Sequence, residues 1–204
     1  MTITFGYCTL LELKAYITAR GGTTSTDAGD DAVMEDIVES VSRYIDNQTA
    51  RRFYKNSTDE TRYFEAKDSY CVDIGDLAAS PTTVSVDYNN TRTYTDLSGS
   101  DWELAPANAA LDGLPYSQIV IAPTSTQYFP STRRGVKVLA KFGFPSVPDN
   151  IKVDCEAIAL NIYMSRSGQT SGGKVTLTAG GVVIRPEDVP AWVQSDLGIM
   201  RRHL

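Results

Sequence analysis

The stretch DDAVMEDIVESVSRYIDNQTARRFY, Asp30 to Tyr54, decides the fold class because the chain changes its hydrophobic period at its far end. Met34, Ile37, Val38, Val41, Tyr44 and Ile45 recur at the 3.6-residue spacing of an amphipathic helix, which predicts a helix ending near Thr49. Acidic residues at its start suit the positive end of the helix dipole. From Asp59 the period falls to two. TRYFEA and YCVDI are short β-prone runs, and Val84, Val86 and Tyr88 alternate with polar residues before Asn89-Asn90, a pair that tolerates the left-handed backbone of a hairpin turn.

Working outward, Thr9-Leu10-Leu11-Glu12 is a capping-box pattern that opens a first helix over about Leu10 to Ala19. Further strands are expected in DWELA, SQIVIAP and GVKVLAKFGF, separated by Pro, Gly, Asn and Asp punctuation. Helix returns after FPSVPDN, with Pro148 suited to a first turn and Asp149 to the dipole. Ile151, Cys155, Ile158, Ala159, Ile162 and Tyr163 make one apolar face of a third helix, to about Ser165. SGQTSGG reads as a flexible linker, KVTLTAGGVVI as two short strands around Gly180-Gly181, and PEDVPAWVQSDLGIMRR as a fourth helix with Trp192, Val193, Leu197 and Met200 on its apolar side. The prediction is an α+β fold: a bundle of about four helices, residues 1–58 and 145–204, with a β-rich insertion, residues 59–144, between helix 2 and helix 3.

Length and composition agree with one substantial domain or a domain carrying a large insertion. The chain has 204 residues, 42% hydrophobic and 22% charged, which is ordinary for a packed, water-soluble fold. No basic n-region precedes an apolar run at the N-terminus and no apolar run approaches membrane-spanning length, so the cytoplasm is the expected compartment and no membrane partner is expected. Cys8, Cys71 and Cys155 are widely separated and contain no C-x-x-C pair; each reads as a small buried hydrophobe, not as part of a disulfide framework or a zinc site. The single histidine, His203, is the penultimate residue, which removes most histidine-dependent nucleophiles and metal sites. A net charge of −6 argues against a general nucleic-acid binder, and Arg51-Arg52, Arg133-Arg134 and Arg201-Arg202 read as separate doublets serving solubility and local ion pairs.

GQTSGGKV, Gly168 to Val175, carries the G-x-x-x-x-G-K spacing of a phosphate-binding loop. That loop requires a hydroxyl after the lysine to hold Mg²⁺, with a strand before it and a helix after it. Here the residue is Val175, a helix precedes and a strand follows, so the stretch reads as a linker. Glu65, Asp68, Asp73 and Asp76, with Asp101 and Glu103 flanking Trp102, are the best enzymatic constellation, since paired carboxylates beside an aromatic could serve glycoside hydrolysis. Acidic loops are routine in an acidic chain, and solvated turns are the simpler account. Glycosylation-type triplets at Asn47, Asn56 and Asn89 carry no meaning without secretion. Eleven tyrosines suit both β-sheets and protein interfaces. No catalytic, cofactor-binding or metal-binding residues are assigned.

Several phrases, in this order, resemble the head-to-tail connector (adaptor) family of tailed double-stranded DNA phages and prophages: YCTLLELKAYI, DDAVMEDIVESVSRYIDNQTARRFY, TRYFEA…VDIGDLAASPTTVSVD, WELAPAN, LPYSQIVI, KFGFPSVPDNIKVDCEAIALNIYMSR and EDVPAWVQSDLGIMRR. The resemblance implies a non-enzymatic virion protein that packs into a ring, usually twelve-fold, beneath the portal and extends the DNA channel towards the tail. The family's helical bundle corresponds to residues 9–50, 148–166 and 187–202; many members have little or no β insertion. The implied partners are the portal protein, other neck or tail-completion proteins and copies of the chain itself. The implied location is the virion neck, after assembly in the host cytoplasm. An acidic subunit repeated around a ring would repel phosphates, so duplex DNA is expected to pass without specific binding. Family members grip the portal with the C-terminal segment, which here corresponds to Leu197, Met200, Arg201, Arg202, His203 and Leu204; helix-end electrostatics and core packing would account for the same residues. Another neck or tail-completion ring protein is the alternative reading. From a different class, a carbohydrate-binding β domain is distinguished by whether Asp101 and Trp102 line an open groove or a packed core.

The glycine loop yields a first test. Lys174→Ala is expected to leave assembly of heads unchanged, and equilibrium dialysis of the parent chain against ATP and GTP is expected to show no binding. Measurable nucleotide affinity in the parent that is lost in the variant would refute the linker reading.

Overall fold

The computed structural model describes residues 3–24, 26–166, 177–178, 181–182, 184 and 188–202. The chain divides into two compact units, residues 1–53 with 147–204, and residues 54–146. The fold is α+β, with a β-rich region between helix 2 and helix 3.

The first unit contains helices α1 (Leu10–Ala19), α2 (Ala28–Thr49), α3 (Asp149–Arg166) and α4 (Ala191–Met200). The capping box is formed: the Glu12 amide donates to the Thr9 hydroxyl at 3.2 Å and the Thr9 amide donates to the Glu12 carboxylate at 2.8 Å. On α2 the buried stripe is Met34, Ile37, Val38, Val41, Ser42, Ile45 and Thr49, and the helix stops at Ala50, which takes a left-handed φ of 52°. Ser42 and Thr49 sit in this stripe at low cost because each hydroxyl donates back to a carbonyl of its own helix, Val38 at 2.7 Å and Ile45 at 2.8 Å.

α3 is the centre of this unit. Its expected apolar face is buried, but so are Asp154, Glu156 and Ala157, so the helix is enclosed well beyond one face. It packs on α1 and α2. The Tyr163 hydroxyl donates to Asp30 at 2.8 Å, and the Lys152 ammonium pairs with Glu12. The buried thiols of Cys8 and Cys155 lie 3.8 Å apart, with Ser42 Oγ 3.7 Å from Cys155 Sγ. Mutual hydrogen bonding and burial both push the Cys8 thiol far above its ordinary range, which leaves it inert as a nucleophile. Cys71 is only partly buried, unlike the other two.

The fourth helix departs from expectation at both ends. Residues 186 and 187 of the expected helix lie outside the described residues; Pro190 stands at the N-cap, and the α-helix begins at Ala191. It ends at Met200, with Arg201 already extended at φ −64° and ψ 132°. Only Val193 and Leu197 are buried on it, whereas Trp192, expected on the apolar side, is 46% exposed. A ten-residue helix offers a narrow contact stripe, and Trp192 is displaced from Val193 by one residue, about 100° around the helix. Between α3 and α4, short strands β8 (Leu177–Thr178) and β9 (Gly181–Val182) pair antiparallel.

The second unit is a sandwich of two antiparallel sheets. Strands β1 (Glu60–Phe64), β7 (Val136–Ala140), β3 (Thr83–Val86) and β4 (Thr95–Asp96) form one sheet in that order. β2 (Cys71–Leu77), β6 (Tyr116–Ile121) and β5 (Trp102–Ala105) form the other. Alternate residues point inward: Val72, Ile74, Ile119 and Ile121 from one sheet meet Val84, Val86, Val136 and Val138 from the other around Phe129 and Phe142. β4 is too short to be read from the sequence, but the hairpin before it is formed, with Asn90 left-handed at φ 54°. The buried Asp87 carboxylate holds this turn, accepting from the amides of Thr91 at 3.0 Å and Arg92 at 2.8 Å.

Two glycines are required by backbone geometry. Gly75, at φ 82°, lies where the β2–β6 register shifts between Asp73 and Leu77, the place of a bulge. Gly143, at φ 111°, passes so close to Tyr54 that a β-carbon would stand 1.8 Å from its carbonyl oxygen. There the two ends of the unit are tied by the Asn56 amide donating to the Phe142 carbonyl at 3.1 Å. Gly143→Ala therefore combines a left-handed penalty with a backbone collision, and is expected to destabilise the β unit by at least about 2 kcal/mol. Thermal melting followed by near-ultraviolet circular dichroism checks this; an unchanged midpoint would show that the two ends are not held together.

Candidate functional site

The expected docking residues lie where α4 meets the end of α2. Leu197 is buried and anchors the helix, Met200 and Arg202 are partly buried, and Arg201 is exposed. The structure thus separates Leu197, a core residue, from the side chains next to it that reach solvent. Arg202 departs from the helix and its amide donates to the carbonyl of Thr49 at 2.8 Å. This bond satisfies a carbonyl in the last turn of α2, where the helix has no intrahelical donor to offer. His203 and Leu204 lie outside the described residues.

A groove of about 310 Å³ opens beside this junction, lined by Tyr44 and Gln48 of α2, Gln194, Leu197 and Gly198 of α4, and Arg201. Gln194 is held by donating to the Val189 carbonyl at 3.1 Å, and burial pushes the Tyr44 phenol above its ordinary range. At Gly198 a β-carbon would meet nothing within 4 Å, so the groove is open on that side. Amide, phenol and guanidinium groups suit hydrogen bonding to a peptide segment and offer no nucleophile–base pair. Among the described residues no group of three or more His, Cys, Asp or Glu side chains is placed to hold a metal ion.

Two charged features of this unit could not be read from the sequence as sites. Tyr7 reaches from the N-terminal segment to α2, its hydroxyl bonded to Asp46, while the Phe53 amide donates to Tyr7 at 2.9 Å and Arg43 pairs with Asp46 at 2.8 Å. Burial raises the Asp46 carboxyl, opposed by the Tyr7 hydrogen bond and the nearby arginines, and burial raises the Tyr7 phenol beyond its ordinary range. The second feature is Asp154. It is fully buried on α3, neither carboxylate oxygen has a hydrogen-bond partner among the described residues, and Asp196 of α4 adds like-charge repulsion. Burial, then Asp196, pushes its carboxyl up to about 7.

Of the carboxylates weighed for glycoside chemistry, Asp68, Asp76 and Asp101 are held in the sandwich and its turns, while Glu65, Asp73 and Glu103 are exposed. Asp101 accepts from the Ser98 amide at 2.9 Å and the Ser125 hydroxyl at 2.7 Å, and Trp102 packs against the sandwich core. Asp68 caps the turn into β2 by accepting from the amides of Tyr70 and Cys71, both at 2.8 Å. Asp76, read as a solvated turn residue, is instead buried. Asp101 and Trp102 thus answer the test set for a carbohydrate site: they belong to a packed core and its turn.

No protein-family model matches the chain, and no curated protein matches it. Solved structures share its fold, two of them from particle necks. A chain from the neck of an empty GTA (gene transfer agent) particle, computed with C6 symmetry, aligns with a TM-score of 0.56 at 15% identity, covering 100% of this chain and 95% of that one. A chain from the neck of a native GTA particle, computed with C12 symmetry, aligns with a TM-score of 0.52 at 13% identity, covering 96% and 90%. The likeness extends over nearly the whole of each chain, helices and β-strands together.

Asp154 gives this site a pH signature. Its carboxyl is raised in the folded chain above the ordinary value of about 4, so the folded state holds the proton more tightly. The stabilisation is complete below about pH 4 and is lost as pH rises towards 7, by on the order of 3 kcal/mol. Asp154→Asn is expected to flatten this dependence. Urea unfolding at a series of pH values checks it, and a parent chain whose stability does not fall between pH 4 and 7 relative to the variant would refute the assignment.

Proposed function

We propose that this chain is a head-to-tail adaptor of a tailed double-stranded DNA phage or prophage: a structural neck protein that packs with copies of itself into a ring, usually twelve-fold, beneath the portal. The observation that carries the reading is the fold likeness to two chains from particle necks, running through both the helical and the β unit. It agrees with the family resemblance of the sequence, which reaches the same assignment from local phrases. Those neck structures were computed with six-fold and twelve-fold symmetry, the kind of closed ring that heterologous contacts build.

In this reading the chain is no enzyme and takes no cofactor. Its partners are the portal protein, other neck or tail-completion proteins and its own copies. It assembles in the host cytoplasm and resides in the virion neck. Duplex DNA passes through the ring without specific binding, because a subunit of net charge −6 repeated around a channel repels phosphate. The groove between α2 and α4 and the basic segment after it, from Met200 through Arg201 and Arg202 to His203 and Leu204, form the portal-docking end. A basic segment on an acidic subunit suits an acidic partner surface, and weak single contacts multiplied around a ring give firm attachment. A different neck or tail-completion ring protein would share the same fold likeness, and the docking partner separates the two.

Removing Arg201 to Leu204 is expected to leave a folded, soluble subunit that no longer joins portal-bearing heads, whereas the parent forms a ring on them. Negative-stain images of each protein mixed with portal-bearing heads make the comparison. Unchanged occupancy by the truncated chain would move the docking site elsewhere, and a parent that adds only to tails would replace the adaptor with a tail-completion role.

A further inference from the structure

In the sequence the cations of residues 54–146 look scattered, but the sandwich gathers half of its Lys and Arg residues at one place. Arg92, Arg133 and Arg134 lie on adjoining loops, tied by the Arg92 guanidinium donating to the Arg133 carbonyl at 2.7 Å. Lys137 follows on β7 and points to the outer side of its sheet, since its neighbours Val136 and Val138 face the core. The Arg134 guanidinium lies 4.2 Å over the Tyr63 ring and the Lys137 ammonium 5.0 Å over the Tyr94 ring. The two rings are 5.7 Å apart, and the Tyr94 hydroxyl donates to the Arg134 carbonyl at 2.8 Å.

Two features make this more than an ordinary solvated face. Arg92 and Arg134 hold left-handed backbone, at φ 66° and 60°, conformations that cost a side-chain-bearing residue on the order of 1 kcal/mol and that Gly or Asn would adopt more readily. Stacking on tyrosine fixes the guanidinium plane while leaving its edges free to donate, the arrangement of an interface anchor. The carboxylates near this face include Asp87, buried and 3.8 Å from Arg92, Asp96, bonded to Ser85 at 2.7 Å, and the exposed Glu65, which follows Phe64 where that residue pairs with Val136; four cations still outnumber the exposed carboxylates there.

The outer side of the opposite sheet has the reverse character. Val72 and Ile74 face the core, so Asp73 points outward, and Glu103 does so on β5; both are exposed. Asp68, also exposed, stands at the start of β2, with Lys67 as the nearby cation. Asp73 accepts from Gln118 at 2.6 Å across the strand pair. One side of the sandwich is therefore basic and tyrosine-rich, and the other is acidic.

We infer that the β unit docks head to tail on a second copy of this chain, the Arg92–Arg133–Arg134–Lys137 face with Tyr63 and Tyr94 meeting the Asp73–Glu103 face of its neighbour. Complementary but different surfaces on one subunit make a heterologous contact, which closes into a ring when the rotation permits. The inference rests on the ring reading proposed above, and gives the β insertion a role in it. The net negative charge of the chain favours a protein partner over phosphate for a patch of this size.

A charge-swap experiment on the full chain tests this by sedimentation velocity over a range of concentrations at low and physiological salt. Arg134→Glu with Lys137→Glu, and separately Asp73→Lys with Glu103→Lys, are each expected to stay folded by circular dichroism and to weaken self-association about tenfold or more. An equimolar mixture of the two variants is expected to regain it, because the reversed face of each then meets the reversed face of the other and the unreversed faces meet in the same way, every contact again joining opposite charges. Self-association of either variant equal to the parent's, a mixture that fails to recover, or a parent that stays monomeric throughout would overturn the inference. So would duplex DNA binding by the parent that the arginine–lysine reversal abolishes while self-association persists, which would assign the face to nucleic acid. Failure of the ring reading is separable: a recovering mixture whose parent never joins portal-bearing heads would leave the interface standing and remove the adaptor role.

Discussion

The helical unit depends on α2 and α3 packing together although all of residues 54–146 intervene between them. Holding the ends of so long a segment together costs about 4 kcal/mol in chain entropy if the segment is flexible. The β unit removes the problem through its topology. Its first strand pairs with its last, Glu60 opposite Ala140 through Phe64 opposite Val136, so the chain leaves the unit next to where it entered. The Asn56–Phe142 hydrogen bond and the close pass of Gly143 on Tyr54 tighten that closure. A large insertion is therefore compatible with a continuous helical core, because folding of the insertion itself brings the two helices' chain ends together.

Within the helical core, polar groups are distributed unevenly. Ser42, Thr49 and Tyr7 are buried with partners, Tyr7 against the half-buried Asp46–Arg43 pair, so burial costs them little. Asp154 is buried without one, which is expensive unless the carboxyl keeps its proton. The charge relation between Asp154 and Asp196 links the central helix to α4, the element that carries the candidate docking end.

The two units divide the work in different physical terms. The helical unit offers a polar groove with the exposed Arg201 on its lining, suited to hydrogen bonding a partner segment. The β unit offers two flat faces of opposite sign, suited to repetition of one subunit beside another. In the proposed ring the first would face the structure above or below it and the second the neighbouring copy.

The sequence by itself determined the helices and most strands, because their hydrophobic periods are local properties: Met34 to Ile45 could only be an amphipathic helix, and the Thr9–Glu12 box fixed where α1 begins. It also gave the place of the β region and Leu197 on the apolar side of the fourth helix, but not that Trp192, expected on the same side, is exposed. Tertiary structure decided what no period encodes. β4 is two residues long, α4 stops before the arginines, and Asp154 is enclosed by elements distant in sequence. Arg92 reaches the Arg133 carbonyl only because β3 and β7 pair, with Val86 opposite Val136. Charge clustering on a sheet face is a consequence of strand register, and register is set by which long-range pairing buries the most apolar surface, a property of the folded chain and not of any window along it.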